Sequence, residues 1–316
     1  MAKIGIVGAA GYTGGELLRI LVNHPDVVLA CIMSKSQAGK LVSSVHTDLL
    51  GSTQARFCDH LCPVDVLFLC SGHGESKKFL AENEVPWHTK IIDLSTDFRD
   101  ESEGFVYGLP EFQREKISSA TKIANPGCFA TSIELALLPL ASAGLIKSAV
   151  HVSAITGSTG AGQALSPTSH FSWRNNNVSI YKAFTHQHLT EIGMVLGAEY
   201  PAPKVNFIPY RGNFTRGIMA NVYTDYAGTQ GDALDLFENF YRDSPFVFIS
   251  DQGVDVKQVV NTNKCFLHLE VHEGQILISS VIDNLIKGAS GQAVQNMNLM
   301  LGWDESAGLK LKAASF

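Results

Sequence analysis

Lys3-Ile4-Gly5-Ile6-Val7-Gly8-Ala9-Ala10-Gly11-Tyr12-Thr13-Gly14-Gly15-Glu16-Leu17-Leu18-Arg19-Ile20-Leu21 opens the chain. An apolar strand-like run, a glycine turn and an amphipathic helical pattern follow one another without a break. The spacing Gly8-x-x-Gly11-x-x-Gly14 is a variant of the dinucleotide-binding fingerprint. Glycines there let the backbone turn tightly and bring a pyrophosphate onto the helix N-terminus, where unpaired N–H groups and the dipole attract anions. The pattern predicts a doubly wound, Rossmann-type α/β domain with Gly8, Gly11, Tyr12, Thr13 and Gly14 against the cofactor. The next strand, Val27 to Met33, ends in Ser34-Lys35-Ser36. Folds of this kind that bind NAD carry Asp or Glu about 20 residues past the glycines. A hydroxyl and a cation stand there instead and suit a 2′-phosphate, so the expected cofactor is NADP(H), held in part by Ser34 and Lys35. The plain alternative for Lys35 is a solvated lysine at a strand end.

Working outward, strand and helix patterns alternate to about residue 125. Val64-Asp65-Val66-Leu67-Phe68-Leu69-Cys70 is nearly continuous in apolar character, as a buried parallel strand requires. It ends in Ser71-Gly72-His73-Gly74, a loop at the carboxyl end of a strand, where such folds bind ligands; Ser71 is therefore a further cofactor candidate. Ile91-Ile92-Asp93-Leu94 is another strand. From about 149 the texture changes to longer strands with partial alternation, near 150–155, 217–223, 265–271 and 276–281, broken by helical patterns near 188–199 and 230–242. This predicts a second, α+β domain built on a mixed sheet. The expected division is 1–127 completed by the C-terminal helical segment 286–316, whose helix reads as Gly288–Leu301 closed by Gly302, and 128–285 as the catalytic and dimerisation domain.

At 316 residues, 45% hydrophobic and 17% charged, the chain has room for two domains of ordinary size and a large core. A net charge of −6 without a basic run argues against nucleic acid as a partner. No apolar stretch approaches the roughly 18 residues of a membrane span. The first strand begins at once, which leaves no place for a signal peptide, and six scattered cysteines fit a reduced, cytoplasmic protein. Cys58-Asp59-His60-Leu61-Cys62 offers zinc-type ligands, but no second pair at metal spacing accompanies it, so no metal site is expected.

The chemistry is expected at Asn125-Pro126-Gly127-Cys128-Phe129-Ala130-Thr131. Pro126 and Gly127 break the preceding run, and Thr131 to Leu138 reads as an apolar-faced helix. A thiol in the first helical turn meets unpaired N–H groups and the positive dipole end, which favour the nucleophilic thiolate. A buried structural cysteine is the plain alternative. His186-Gln187-His188 supplies two imidazoles that can take or return a proton; a pair that merely begins a helix is its counterpart.

Taken together, these stretches resemble the N-acetyl-gamma-glutamyl-phosphate reductase family. The resemblance runs through nearly the whole chain. It rests on 8–14, Asp93-Leu94-Ser95-Thr96-Asp97-Phe98-Arg99, Tyr107-Gly108-Leu109-Pro110-Glu111, 125–128, Thr156-Gly157-Ser158-Thr159-Gly160-Ala161-Gly162, 186–188 and Val281-Ile282-Asp283-Asn284-Leu285-Ile286-Lys287-Gly288, all in family order. The related aspartate-semialdehyde dehydrogenases are less similar around 12–14 and at the histidine pair. The resemblance implies reduction of an N-acyl-glutamyl 5-phosphate by NADPH through a thioester on Cys128, with His186 as acid/base and His188 assisting. It implies substrate contacts from Arg99, Ser158, Arg211 and Arg216, a nicotinamide lined by Gly160 and Asn284, and a homodimer or homotetramer. The sequence departs from the family at Pro209-Tyr210-Arg211-Gly212-Asn213, where the family has a histidine and apolar residues, and at Gln187, where it has arginine. The extra cation Arg211 leaves open an N-acyl group with its own negative charge, such as succinyl, in place of acetyl. The rival readings are an aspartate-semialdehyde dehydrogenase-like reductase of another acyl phosphate and an NADP-binding regulator without turnover.

Overall fold

The computed structural model describes residues 1–72 and 74–314. His73 of the 71–74 loop and the last two residues of the expected C-terminal segment lie outside them. The chain clusters into two units, 1–126 with 289–310, and 127–288 with 311–316.

The first unit carries β1 (Ala2–Val7), α1 (Tyr12–Leu21), β2 (Val27–Met33), β3 (Val66–Leu69), α2 (Glu75–Glu82), β4 (Lys90–Asp93), β5 (Val106–Tyr107), α3 (Pro110–Ser119) and β6 (Lys122–Ala124). Its strands form one sheet in the order β2-β1-β3-β4-β6-β5, every pair parallel. β3 is buried at all four positions, which is why it reads as an unbroken apolar run. The order reverses between β1 and β3, and their carboxyl ends carry Gly8 and Ser71. This is the switch-point crevice where doubly wound sheets take their ligands.

The second unit carries α4 (Cys128–Ser142), β7 (Val150–Thr156), α5 (Phe171–Arg174), β8 (Ser179–Ile180), α6 (His188–Leu196), β9 (Val205–Arg211), β10 (Ile218–Asp225), α7 (Gln230–Tyr241), β11 (Val247–Ile249), β12 (Cys265–His272) and β13 (Gln275–Ile282). Its mixed sheet runs β11-β12-β13-β10-β7-β9-β8, parallel only at β11/β12 and β7/β9. Alternate residues of β7 are buried, and α4, α6 and α7 pack on this unit's strands. α4 is buried from Phe129 through Leu140, more completely than the one-faced helix its sequence predicts.

α8 (Gly291–Met300) packs on α1, α3 and β4 of the first unit. Asn296 Nδ2 donates to the Gly108 carbonyl at 2.8 Å, and Ser290 Oγ donates to the Thr13 carbonyl at 2.9 Å. The C-terminal α-helix starts at Gly291, later than the expected Gly288, and ends where expected, before Gly302. Ile286–Ser290 is a π-helical turn, in which the Gly288 N–H donates to the Asp283 carbonyl at 2.9 Å. The α-helix then stops at Met300, and Gly302 takes the left-handed conformation that ends it. Residues 305–308 form a turn, and 311–314 group with the second unit.

Candidate active site

The glycine loop is shaped by close backbone packing. Gly8 has φ +78°, and a Cβ there would lie 2.8 Å from the Cys70 carbonyl oxygen. A Cβ on Gly14 would lie 2.6 Å from Ala9 Cα, so only glycine lets α1 start this close to β1. A Cβ on Gly11 would meet only the Gly8 oxygen, at 3.5 Å; space remains open there. α1 has no side-chain cap and no carboxylate in its first turn, the condition for receiving a pyrophosphate. The Ala9 N–H donates to the Met33 carbonyl at 3.1 Å, tying the loop to the end of β2 just before half-buried Ser34 and exposed Lys35. These residues fit a nicotinamide dinucleotide.

The 93–99 motif organises the neighbouring strand ends. Buried Asp93 accepts from Ser76 Oγ at 2.6 Å and Ser95 Oγ at 2.7 Å; burial raises its pKa against those hydrogen bonds and the nearby Arg99 charge. Asp97 accepts the N–H groups of Gly74, Ser76 and Lys77, capping α2. Arg99 is buried and donates from Nε to the Asn125 carbonyl at 3.0 Å and from Nη2 to the Leu94 carbonyl at 3.2 Å. It thus braces the chain just ahead of Pro126, a task the sequence does not announce.

In the second unit Cys128 is the first residue of α4, after Gly127 as N-cap. No side chain caps this helix and its first turn holds no carboxylate. Cys128 is half-buried, between buried Gly127 and Phe129. A Cβ on Gly288 would lie 2.8 Å from Cys128 Cβ, so the π-helical turn lets the chain pass directly against the thiol-bearing residue. Phe129 packs edge-on against His186, His188 and Phe207, with ring centres 5.6, 6.3 and 5.2 Å away. His186 and His188 are both buried, 4.5 Å apart between ring centres.

His186 Nδ1 accepts the His188 backbone N–H at 3.2 Å. A neutral ring in that arrangement carries its proton on Nε2. Burial, with the positive charges of Lys182 and Arg211, lowers the His186 pKa to about 4, so the ring is neutral near pH 7. Tyr181 packs 5.8 Å from the His186 ring centre. Burial and the Cys128 charge push its pKa up to about 12, against the Arg211 guanidinium. Arg211 Cζ stacks 4.5 Å from the Tyr181 ring centre, a cation–π contact. Its Nε is buried without a hydrogen-bond partner.

Tyr181 and Glu191 join the site without having been singled out from sequence. Glu191 Oε2 accepts the Gly127 N–H at 2.8 Å, and its Oε1 lies 3.9 Å from His188 Nε2. One carboxylate therefore ties the turn before the thiol to the histidine pair. A lone acid three residues after His188 in a mostly apolar helical stretch was the available signal. Gln187 is exposed and accepts from Lys182 Nζ at 2.9 Å.

The remaining candidates gather around 156–160 and 283–284. Asn284 Oδ1 accepts the Gly217 N–H at 2.7 Å, and its Nδ2 donates to Thr159 Oγ1 at 3.1 Å. A Cβ on Gly160 would sit 4.0 Å from Asn284 Nδ2. Half-buried Ser158 follows, its N–H on the Phe214 carbonyl. Thr156 Oγ1 is buried without a hydrogen-bond partner. Arg216 grips Asp283, from Nε at 3.1 Å and Nη2 at 3.2 Å. Asp283 also accepts the N–H groups of Asn261, Leu285 and Ile286. This arrangement orders the loop, whereas the resemblance implies a substrate contact for Arg216.

Comparison with known proteins agrees with this geometry. Residues 3–120 match the model of the semialdehyde dehydrogenase NAD binding domain, and residues 128–284 that of the semialdehyde dehydrogenase dimerisation domain. N-acetyl-gamma-glutamyl-phosphate reductases of Azobacteroides pseudotrichonymphae and Bacteroides thetaiotaomicron are 55% and 51% identical to the chain, each over the whole of both proteins. Among solved structures, aspartate semialdehyde dehydrogenase II of Vibrio cholerae superposes with a TM-score of 0.75 at 18% identity, over 96% of this chain and 98% of that one. Aspartate semialdehyde dehydrogenase of Candida albicans, solved with NADP, gives 0.71 at 13% identity over 95% and 98%; at such identities these structures speak to the fold alone. A thiol at an uncapped helix start beside buried histidines, a nicotinamide-type glycine loop and full-length identity above half place the chain in the N-acetyl-gamma-glutamyl-phosphate reductase family.

Proposed function

We propose that the protein reduces an N-acyl-L-glutamyl 5-phosphate to the N-acyl-L-glutamate 5-semialdehyde and phosphate, within arginine biosynthesis, with NADPH as reductant. The observation that carries this reading is Cys128 at the uncapped start of α4, next to Phe129, which packs on the buried His186 and His188 rings. The thiolate attacks the acyl carbon, the carbon–oxygen bond to phosphate breaks, and a thioester forms on Cys128. A nicotinamide dinucleotide held at the Gly8, Gly11 and Gly14 loop would supply the hydride that reduces that carbon. The resulting oxyanion collapses, the carbon–sulfur bond breaks, and aldehyde and thiolate are released. His186 Nε2–H is the donor that stabilises the oxyanion, His188 and Glu191 hold the turn, and Arg99 is the candidate contact for the departing phosphate. A regulator that only bound the cofactor would need the glycine loop and none of this cluster. Phosphate-dependent reduction of NADP⁺ with an N-acyl-glutamate semialdehyde tests the reading directly; absence of that activity in folded, cofactor-binding protein overturns it.

The preference for NADP(H) rests on Ser34 and Lys35 at the end of β2, where no carboxylate stands to repel a 2′-phosphate. Lys35→Ala is expected to weaken NADPH binding by about 10- to 150-fold, the effect of one charge-assisted contact, and to leave NADH binding nearly unchanged. Titration of cofactor fluorescence measures both. Equal affinity of the native protein for the two cofactors overturns the preference.

Arg211 supports a second substrate reading. The relatives are named for an N-acetyl substrate, yet here a guanidinium with a buried, unpartnered Nε stacks on Tyr181 within the Cys128 cluster. An N-acyl group bearing a carboxylate, such as succinyl, would offer that Nε an acceptor. Arg211→Ala is then expected to lower kcat/KM for N-succinyl-glutamate semialdehyde by about 10- to 150-fold and to change the N-acetyl value far less. A native preference for the acetyl compound, with both values falling together in the variant, returns Arg211 to holding Tyr181.

The enzyme is further read as a cytoplasmic homo-oligomer. Support comes from the dimerisation-domain match, from exposed Leu165, Phe171, Val178, Ile180 and Phe184 along 165–184 beside the edge strand β8, and from unbridged cysteines. No helix among the described residues is long and apolar enough to cross a membrane. Sedimentation equilibrium is expected to give a mass above one chain and to shift toward one chain in Phe184→Glu; a monomeric native protein overturns this.

A further inference from the structure

Three cysteines outside the active site meet at the end of β2. Cys31 is buried in that strand, and Cys58 and Cys62 are half-buried on the loop that follows the 42–57 segment. Their sulfurs all lie within 4.8 Å of one another, and Cys31 and Cys58 Sγ are 3.7 Å apart. Sulfurs tetrahedrally bound to one zinc ion at about 2.3 Å stand about 3.8 Å apart, so one pair is already at that spacing. The other sulfur pairs, at 4.8 Å or less, stand within about 1 Å of it. Among the described residues this is the one group of three or more His, Cys, Asp or Glu at such spacing.

The backbone is arranged for the same purpose. The Cys58 N–H donates to the Ile32 carbonyl at 2.9 Å, and the Ser34 N–H donates to the Cys58 carbonyl at 2.9 Å. These bonds fix Cys58 against the strand that carries Cys31. The Cys62 N–H donates to Cys31 Sγ at 3.2 Å, a contact of the kind that stabilises charge on a metal-bound sulfur. All three thiols lie against one acceptor, the His60 carbonyl, at 3.5, 3.4 and 4.0 Å. The shared neighbour shows that the three sulfurs converge on one point of the loop. The His60 ring is turned away: it is exposed, with Nδ1 2.8 Å from Asp59 Oδ1.

We propose that Cys31, Cys58 and Cys62 bind a zinc ion as three thiolates, with a water molecule in the fourth position. Binding transfers three thiol protons to solvent and involves no change of oxidation state. Sequence alone offers only Cys58 and Cys62, and so predicts no metal; the third ligand lies 27 residues upstream of Cys58 and arrives through the parallel bridge between Met33 and Cys58.

The test uses the full chain in a Cys128→Ser background, which removes the nucleophilic thiol as a competing ligand. Reduced protein is titrated with Cd²⁺ alone, read by thiolate-to-metal charge-transfer absorption, and with Zn²⁺ against a chromophoric chelator. Saturation at one ion per chain is expected. Cys58→Ser and Cys62→Ser, both at half-buried positions, are each expected to weaken binding by more than about 100-fold, the upper end of what loss of a supporting hydrogen bond does. Cys70→Ser is expected to leave the titration unchanged. Failure to saturate at one equivalent, or titrations unaffected by Cys58→Ser and Cys62→Ser, overturns the proposal. So does a Cys31–Cys58 disulfide found by mass spectrometry after mild oxidation in protein that takes up no cadmium when reduced, because the pair would then be a redox couple.

Discussion

Cys128→Ser is expected to lose roughly 10⁴-fold or more of turnover, the scale on which removal of a catalytic nucleophile falls, while NADPH binding survives. The reason is chemical more than steric. A hydroxyl is far from ionising at neutral pH, and the field at a helix start that can ionise a thiol leaves an alcohol protonated. Oγ occupies no more room than Sγ, and the contact that constrains this position, Gly288 against Cys128 Cβ, is unchanged, so the variant folds. The glycine loop is untouched. Two measurements separate chemistry from folding: kcat beside NADPH affinity, and mass spectrometry of protein exposed to the acyl phosphate without reductant. Native protein is expected to gain one acyl group on Cys128, and the variant none. Turnover within tenfold of native, or an acyl adduct on another residue, overturns the mechanism.

Much of this site was legible in sequence because its signals are local. Gly8, Gly11 and Gly14 sit within one turn between β1 and α1, and Pro126-Gly127-Cys128 marks the start of α4 with no reference to the rest of the chain. The longer strands of the mixed sheet were visible because burial alternates along them. What stayed hidden depends on pairings between distant residues. Glu191 reaches the Gly127 N–H across 64 residues, and Arg211 finds Tyr181 only because β8 pairs with β9. The start of the C-terminal helix was misread for a related reason. Its periodicity extends back to Gly288, but Asp283 takes the N–H groups of Leu285 and Ile286, and Gly288 must pass against Cys128, so the first turn widens into a π-helix. Cys31 is separated from Cys58 by the 34–57 segment, and only the parallel bridge brings the thiols together.

His186→Ala is expected to cost roughly 10²- to 10³-fold in kcat, the scale of one lost oxyanion donor, and His186→Gln to recover most of it. The expectation follows from the proton's position. With Nδ1 occupied by the His188 N–H and the pKa held near 4 by burial and by Lys182 and Arg211, the ring at neutral pH offers Nε2–H. It has little capacity to accept a second proton. A glutamine amide nitrogen reaches about as far as Nε2 and also donates, whereas alanine does not. The pH profile of native kcat/KM is therefore expected to show no limb near 6.5 that belongs to His186. A limb near 6.5 that disappears in a glutamine variant as inactive as the alanine one would make the histidine a general base and overturn the donor role. The same depressed pKa has a consequence for stability. Between pH 6.5 and about 4 the unfolded chain protonates this histidine and the folded chain does not, so the folded state loses stability as pH falls through that window and the loss levels off below it. Above pH 6.5 the group contributes nothing to the slope. Chemical denaturation across the window is expected to give a shallower pH dependence in His186→Gln than in the native protein; equal slopes would mean that the ring is not held neutral by its surroundings.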